Sequence, residues 1–130
     1  MELAPIIVFG FNRPKALMNT INSLLTNKEA KDSDLYVFID GARPEKEGES
    51  NQVKAVQEYV KSIEGFKKIS YSFSSKNKGL ASSIIDGINS VIYEYGKAIV
   101  VEDDLELMPN FLSFMNQGLI FYENKKDVMS

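Results

Sequence analysis

The stretch Ala98–Glu106, read AIVVEDDLE, constrains this chain more than any other. Its opening residues are apolar and rich in β-branching, the signature of a buried strand. They run directly into three consecutive acids, Glu102, Asp103 and Asp104. The acids therefore fall at or just past the strand's carboxyl end. Side chains alternate along a strand, so Glu102 and Asp104 are expected to lean one way and Asp103 the other. Carboxylates converging at the mouth of a sheet repel one another unless something positive sits between them. Mg²⁺ or Mn²⁺ suits that place, because a hard cation takes oxygen ligands and keeps room for phosphate oxygens. The same acids could instead solvate a turn, or favour a following helix through its dipole.

What surrounds this stretch sets the fold class. Pro5–Gly10 (PIIVFG) and Leu35–Ile39 (LYVFI) are further short, buried strands by length and composition. Ile69–Phe73 alternates apolar with polar residues, which predicts a strand with one solvated face near a sheet edge. Between the strands, Leu17, Met18, Ile21, Leu24 and Leu25 recur at helical spacing, as do Val53, Val56, Tyr59, Val60 and Ile63. Asn12 is expected to cap the first of these helices, with Pro14 in its first turn. A third helix is expected to open at Gly79 and end near Gly96. A fourth starts at Pro109 and carries Phe111, Leu112, Phe114, Met115, Leu119 and Phe121. Strands alternating with helices predict one three-layer α/β/α domain over residues 1–130 with a mainly parallel sheet. In such sheets the ligand lies past the carboxyl ends of the strands. Those ends carry Phe11-Asn12-Arg13, Asp40–Arg43, Ser75–Lys78 and the acidic triplet, so charged groups from all four strands gather at one rim.

Composition narrows the chemistry. The chain has neither cysteine nor histidine. Disulfides, thiolate chemistry and zinc-finger sites are excluded, any metal must be held by oxygen ligands, and a general base cannot be imidazole. The formal net charge of −3 provides no basic field for nucleic acid. The N-terminus lacks the basic and apolar regions of a signal peptide, and no segment approaches a membrane span, so a cytoplasmic protein is expected, with a peripheral position at the inner membrane face as an option. Neither GxxxxGK[ST] nor a GxGxxG after the first strand is present, which argues against a P-loop and a dinucleotide site. Asp40 is placed to take hydrogen bonds from a base or ribose, or it is simply part of an Asp-Gly turn. Lys78, in Asn77-Lys78-Gly79, could approach a phosphate beside a helix N-terminus, or it belongs to a plain helix-entry turn.

FGFNRP at Phe9–Pro14, FID at Phe38–Asp40, NKGL at Asn77–Leu80 and VVEDDLEL at Val100–Leu107 resemble, in this order, the nucleotide-sugar-binding half of a GT-A glycosyltransferase. The style is that of the family 2-like enzymes, and VVEDDLEL followed by Pro109-Asn110-Phe111 is most similar to the N-acetylglucosaminyltransferase I-like branch. The resemblance implies that Asp104 coordinates Mn²⁺ or Mg²⁺ bridging a donor diphosphate. It implies that Glu102 of the DxD-type triplet lies near the ribose or sugar, that Asp103 is among the nucleotide-sugar-binding residues, that Asp40 contacts the base, and that Asn12 and Arg13 lie against the nucleotide, Arg13 at the diphosphate or base. It also implies that Asn77-Lys78-Gly79 helps to close the donor pocket. The triplet opens with Glu where Asp is commoner.

In that family the acceptor site and catalytic base lie downstream of the triplet. The expectation is therefore a donor-binding domain from the N-terminal part of a larger enzyme, with the base beyond Ser130. Alone, such a stretch should bind a nucleotide diphosphate weakly with Mn²⁺ and transfer little or no sugar. The partners implied are a nucleotide-sugar donor and a saccharide or glycan acceptor, with self-association through an apolar patch from Phe111 to Phe121 as a further expectation. The main alternative is a non-catalytic nucleotide-binding or interaction domain on the same scaffold. A nucleotidyltransferase fits less well, since FGFNRP lacks a glycine-rich loop, and so does a receiver domain, since Asn12-Arg13 and Ser74-Ser75 stand where it needs acids.

Overall fold

Each of the four β-branched or alternating runs forms a strand, and the periodic stretches between them form helices. A computed structural model describes residues 3–103 and 105–118. In chain order the elements are β1 (Ile6–Gly10), α1 (Pro14–Leu25), a short 3₁₀ segment (Lys28–Asp32), β2 (Asp34–Ile39), α2 (Glu49–Lys61), β3 (Lys68–Phe73), α3 (Leu80–Tyr95) and β4 (Ile99–Glu102). The 3₁₀ segment is not expected from the sequence, because five mostly polar residues carry no helical period.

The sheet is wholly parallel, in the order β3-β2-β1-β4. The chain steps outward from β1 through β2 to β3, then returns to the far side of β1 as β4. This reversal of strand order beside β1 opens a crevice at the strands' carboxyl ends. Alternation along β1 assigns Ile6 and Val8 to one core and Ile7 and Phe9 to another. The first core holds Leu17, Ile21 and Leu24 of α1 and Val53, Val56 and Val60 of α2. The second holds Val91 of α3, with Phe38, Ile84 and Ile88 partly buried against it. Helices therefore cover both faces, as the alternating pattern predicts. Ile6, Val8, Leu17 and Leu35 are wholly buried, and each contributes about 1.5–3 kcal/mol relative to exposure. Gly87 lets α3 lie close on the sheet: a Cβ there would come 2.8 Å from the Phe9 ring.

β3 is an edge strand, as its alternation predicts, and Tyr71 on it is exposed. Pro14 occupies the first turn of α1, where its missing N–H costs nothing. Asn12 does not cap that helix. Arg13 stands at the cap position without a side-chain capping bond, and the Asn12 amide is engaged elsewhere, at Glu49. Gly96 closes α3 in the left-handed conformation, with φ 78°.

Residues 111–118 are helical. Leu112 is wholly buried in the α1/α2 core, and Phe111 and Met115 pack against it. The Leu112 N–H donates to Asn27 Oδ1 at 2.9 Å, and Asn116 Oδ1 accepts the Ala4 N–H at 2.8 Å. Of the apolar positions expected to form an exposed patch, three thus turn inward and Phe114 is exposed. Leu119 and Phe121 lie outside the described residues. No helix among the described residues is long and apolar enough to cross a membrane.

Candidate functional site

The crevice at the strands' carboxyl ends is a cleft of about 520 Å³. Asn12 and Arg13 enter it from the loop after β1, Asp40 and Arg43 from the loop after β2, Asn77 and Gly79 from the approach to α3, and Glu102 and Asp103 from the end of β4. Phe9, Phe11, Phe38 and Ile84 supply apolar walls. Residues drawn from four segments of the chain thus share one cavity, as the strand-end rule predicts.

Glu102 and Asp103 line the same cleft, contrary to the strict alternation expected from the sequence. The strand ends at Glu102 and the chain turns at Asp103, so the two-residue period no longer applies. Asp103 is largely buried and accepts a hydrogen bond from Arg13 Nη2 at 2.9 Å, joining the loops after β1 and β4. Beyond it, Thr20 anchors the chain to α1: its hydroxyl donates to the Leu105 carbonyl at 2.8 Å and accepts the Leu105 N–H at 3.0 Å. Asp104, the expected metal ligand, lies outside the described residues. Among the described residues no group of three acidic side chains is assembled around a common point.

Asp40 is more than a turn residue. Its Oδ1 accepts the backbone N–H groups of Gly41 at 2.8 Å and Lys78 at 2.9 Å, and its Oδ2 accepts that of Gly79 at 3.1 Å. One carboxylate therefore joins the loop after β2 to the start of α3. Asn77 adds a second tie, donating from Nδ2 to the Gly41 carbonyl at 2.8 Å. Gly41 permits this approach, since a Cβ there would lie 2.6 Å from the Lys76 carbonyl carbon. The Lys78 ammonium is not brought to the cleft. It pairs with Asp86 on α3 at 2.9 Å, and only the backbone of Lys78 serves the Asp40 junction.

Glu49 is missed by the sequence reading. It follows Glu45 and Glu47 in a polar stretch, yet it is almost wholly buried. Its Oε1 accepts the backbone N–H and Nε of Arg43, both at 2.9 Å, and its Oε2 accepts Arg43 Nη2 at 2.7 Å and Asn12 Nδ2 at 3.1 Å. The Arg43 side-chain bonds hold the Glu49 carboxyl down to about 2, against the opposing effect of burial. The Arg43 guanidinium lies over the Phe11 ring, 5.6 Å from its centroid. The one local hint is its position: Glu49 opens α2, where the helix dipole favours an acid.

The order of elements and the parallel sheet have counterparts among known proteins. The GNT-I family model matches residues 1–130. The chain belongs to the GNT-I family. Its fold is also similar to the crystal structure of S. aureus TarS, with a TM-score of 0.64 at 16% identity over 95% of this chain. The chain spans 20% of the length of that TarS chain. No curated protein matches it. Membership of the GNT-I family and the GT-A-like α/β fold agree with the resemblance in its motifs.

Proposed function

We propose that the cleft binds a nucleotide diphosphate sugar through a divalent cation, for transfer of a hexosyl or N-acetylhexosaminyl group to a saccharide acceptor. One observation carries this reading: Asn12, Arg13, Asp40, Glu102 and Asp103 share a single cavity at the strand ends. Its size suits a ligand of nucleotide dimensions.

The donor set fits a hard cation. Glu102 and Asp103 provide oxygen atoms, and neither histidine nor cysteine exists in the chain to compete. So few protein oxygens suit Mn²⁺ or Mg²⁺, which keep room for phosphate oxygens. We assign the main ligand to Asp104, with Glu102 and Asp103 beside it. Such an ion supplies Lewis-acid stabilisation of the leaving diphosphate. Arg13, paired with Asp103, presents guanidinium donors at the same rim, where negative charge builds as the sugar departs. Asp40 Oδ2 has one backbone partner, and its remaining lone pair can accept a base N–H or a ribose hydroxyl. The acceptor and its activating base are handled by groups outside this cleft. A cytoplasmic setting and a role in polysaccharide synthesis belong to the same proposal.

Calorimetry with UDP, GDP and dTDP, with and without Mn²⁺, tests the reading. At least one nucleotide should bind more tightly with metal, and Asp104→Ala should abolish that increment. Metal-dependent binding that survives Asp104→Ala removes the ligand assignment, and no binding of any nucleotide removes the function.

A further inference from the structure

Glu49 lies behind the cleft, and it connects two loops that form it. Asn12 belongs to the loop after β1 and Arg43 to the loop after β2; both donate to its carboxylate. The same loops deliver Arg13 and Asp40 to the cavity. A carboxylate accepting from a planar guanidinium at two points fixes that plane as well as its position.

The Arg43 Nε and one Nη2 hydrogen are engaged by Glu49, but a guanidinium carries five N–H donors. Its side chain is 41% exposed, and it lines the cleft together with Phe11. The pair with Glu49 has no net charge. It therefore offers directed donors beside a flat apolar ring without a net attraction for anions. That combination suits a planar heterocycle bearing carbonyl oxygens better than a phosphate. Placement agrees. Arg43 and Asp40 follow β2 on one side of β1, whereas Glu102 and Asp103 end β4 on the other.

We infer that Glu49 is a positioning residue for the nucleobase of the donor, holding Arg43 over Phe11 so that the outer guanidinium edge meets a base carbonyl. This rests on the donor-cleft reading given above. A merely structural Glu49 would support the loops without affecting affinity in the folded protein.

The experiment uses the full chain and whichever of UDP, GDP or dTDP binds the parent, together with the matching nucleoside monophosphate, each with and without Mn²⁺. Glu49→Gln and Arg43→Lys should each weaken both nucleotides about tenfold, the expected loss of one charge-assisted hydrogen bond. The weakening should be the same with and without metal, and the double variant should bind no worse than the weaker single variant. Thermal melts establish that each variant is folded at the titration temperature. Arg43→Lys keeps the charge but not the two-point geometry, so it decides the matter should Glu49→Gln fail to fold. Unchanged affinity in the folded variants, or losses that add in the double variant, overturns the inference. A loss confined to the diphosphate with Mn²⁺ also overturns it, by placing Arg43 at the phosphate end. If the parent binds none of the three, the donor-cleft reading itself fails, an outcome distinct from a binding parent with unaffected variants.

Discussion

Asp40→Asn is the most informative single change to the site's framework. The residue is 8% exposed, and its carboxylate accepts three backbone N–H groups. An amide can keep its oxygen toward Gly41 and Lys78. Its NH₂ then confronts the Gly79 N–H, so one charge-assisted bond, worth about 1.5–3 kcal/mol, is lost. The two remaining bonds weaken from ionic to neutral, by roughly 0.5 kcal/mol each. The sum is about 3 kcal/mol, a large share of the roughly 5–15 kcal/mol that stabilises a domain. For a chain of this length it corresponds to a fall in melting temperature of roughly 10 °C. Urea unfolding followed by circular dichroism should show the loss in midpoint with the slope unchanged. Hydrogen exchange should speed up at the amides of Lys78 and Gly79 more than in β1 or β2. A destabilisation below about 0.5 kcal/mol, or unchanged exchange at those two amides, would refute the view that Asp40 joins the β2 loop to α3.

Two other tests concern the loops around the cleft. The Glu49 carboxyl is held at about 2, below its ordinary 4.5, so its contribution to stability is present above about pH 4.5 and is lost as pH falls towards 2. The parent should therefore lose more stability across that window than Glu49→Gln does; identical acid profiles in urea titrations would contradict the pairing. Thr20→Val keeps the shape of a wholly buried side chain but removes both bonds to Leu105. It should cost about 2 kcal/mol in urea unfolding and expose the segment after β4 to proteolysis, and a cost near zero would show that Thr20 does not anchor that segment.

Local chemistry made much of this protein legible. Short β-branched runs marked the strands, a 3.6-residue period marked the helices, and alternation at Ile69–Phe73 marked an edge. From strand–helix alternation alone it followed that Asn12, Arg13, Asp40 and Glu102 would meet at one rim, because parallel strands bring all their carboxyl ends to the same side. Such signals depend on residues near one another in the chain, and a sequence displays them directly.

Other features arise where separate loops meet, and no local pattern encodes that meeting. Asn12 looked like a helix cap, but Glu49, 37 residues later, lies within reach of its amide. Asp40 carried the signature of a turn, yet two of its three partners lie 38 and 39 residues away. Lys78 had the charge for a phosphate, and the course of α3 placed Asp86 beside it instead. The residues declare which groups reach the cleft's rim; packing chooses which of them are held by one another and which face a ligand, since a hydrogen bond is settled by distance in space and not by separation along the chain.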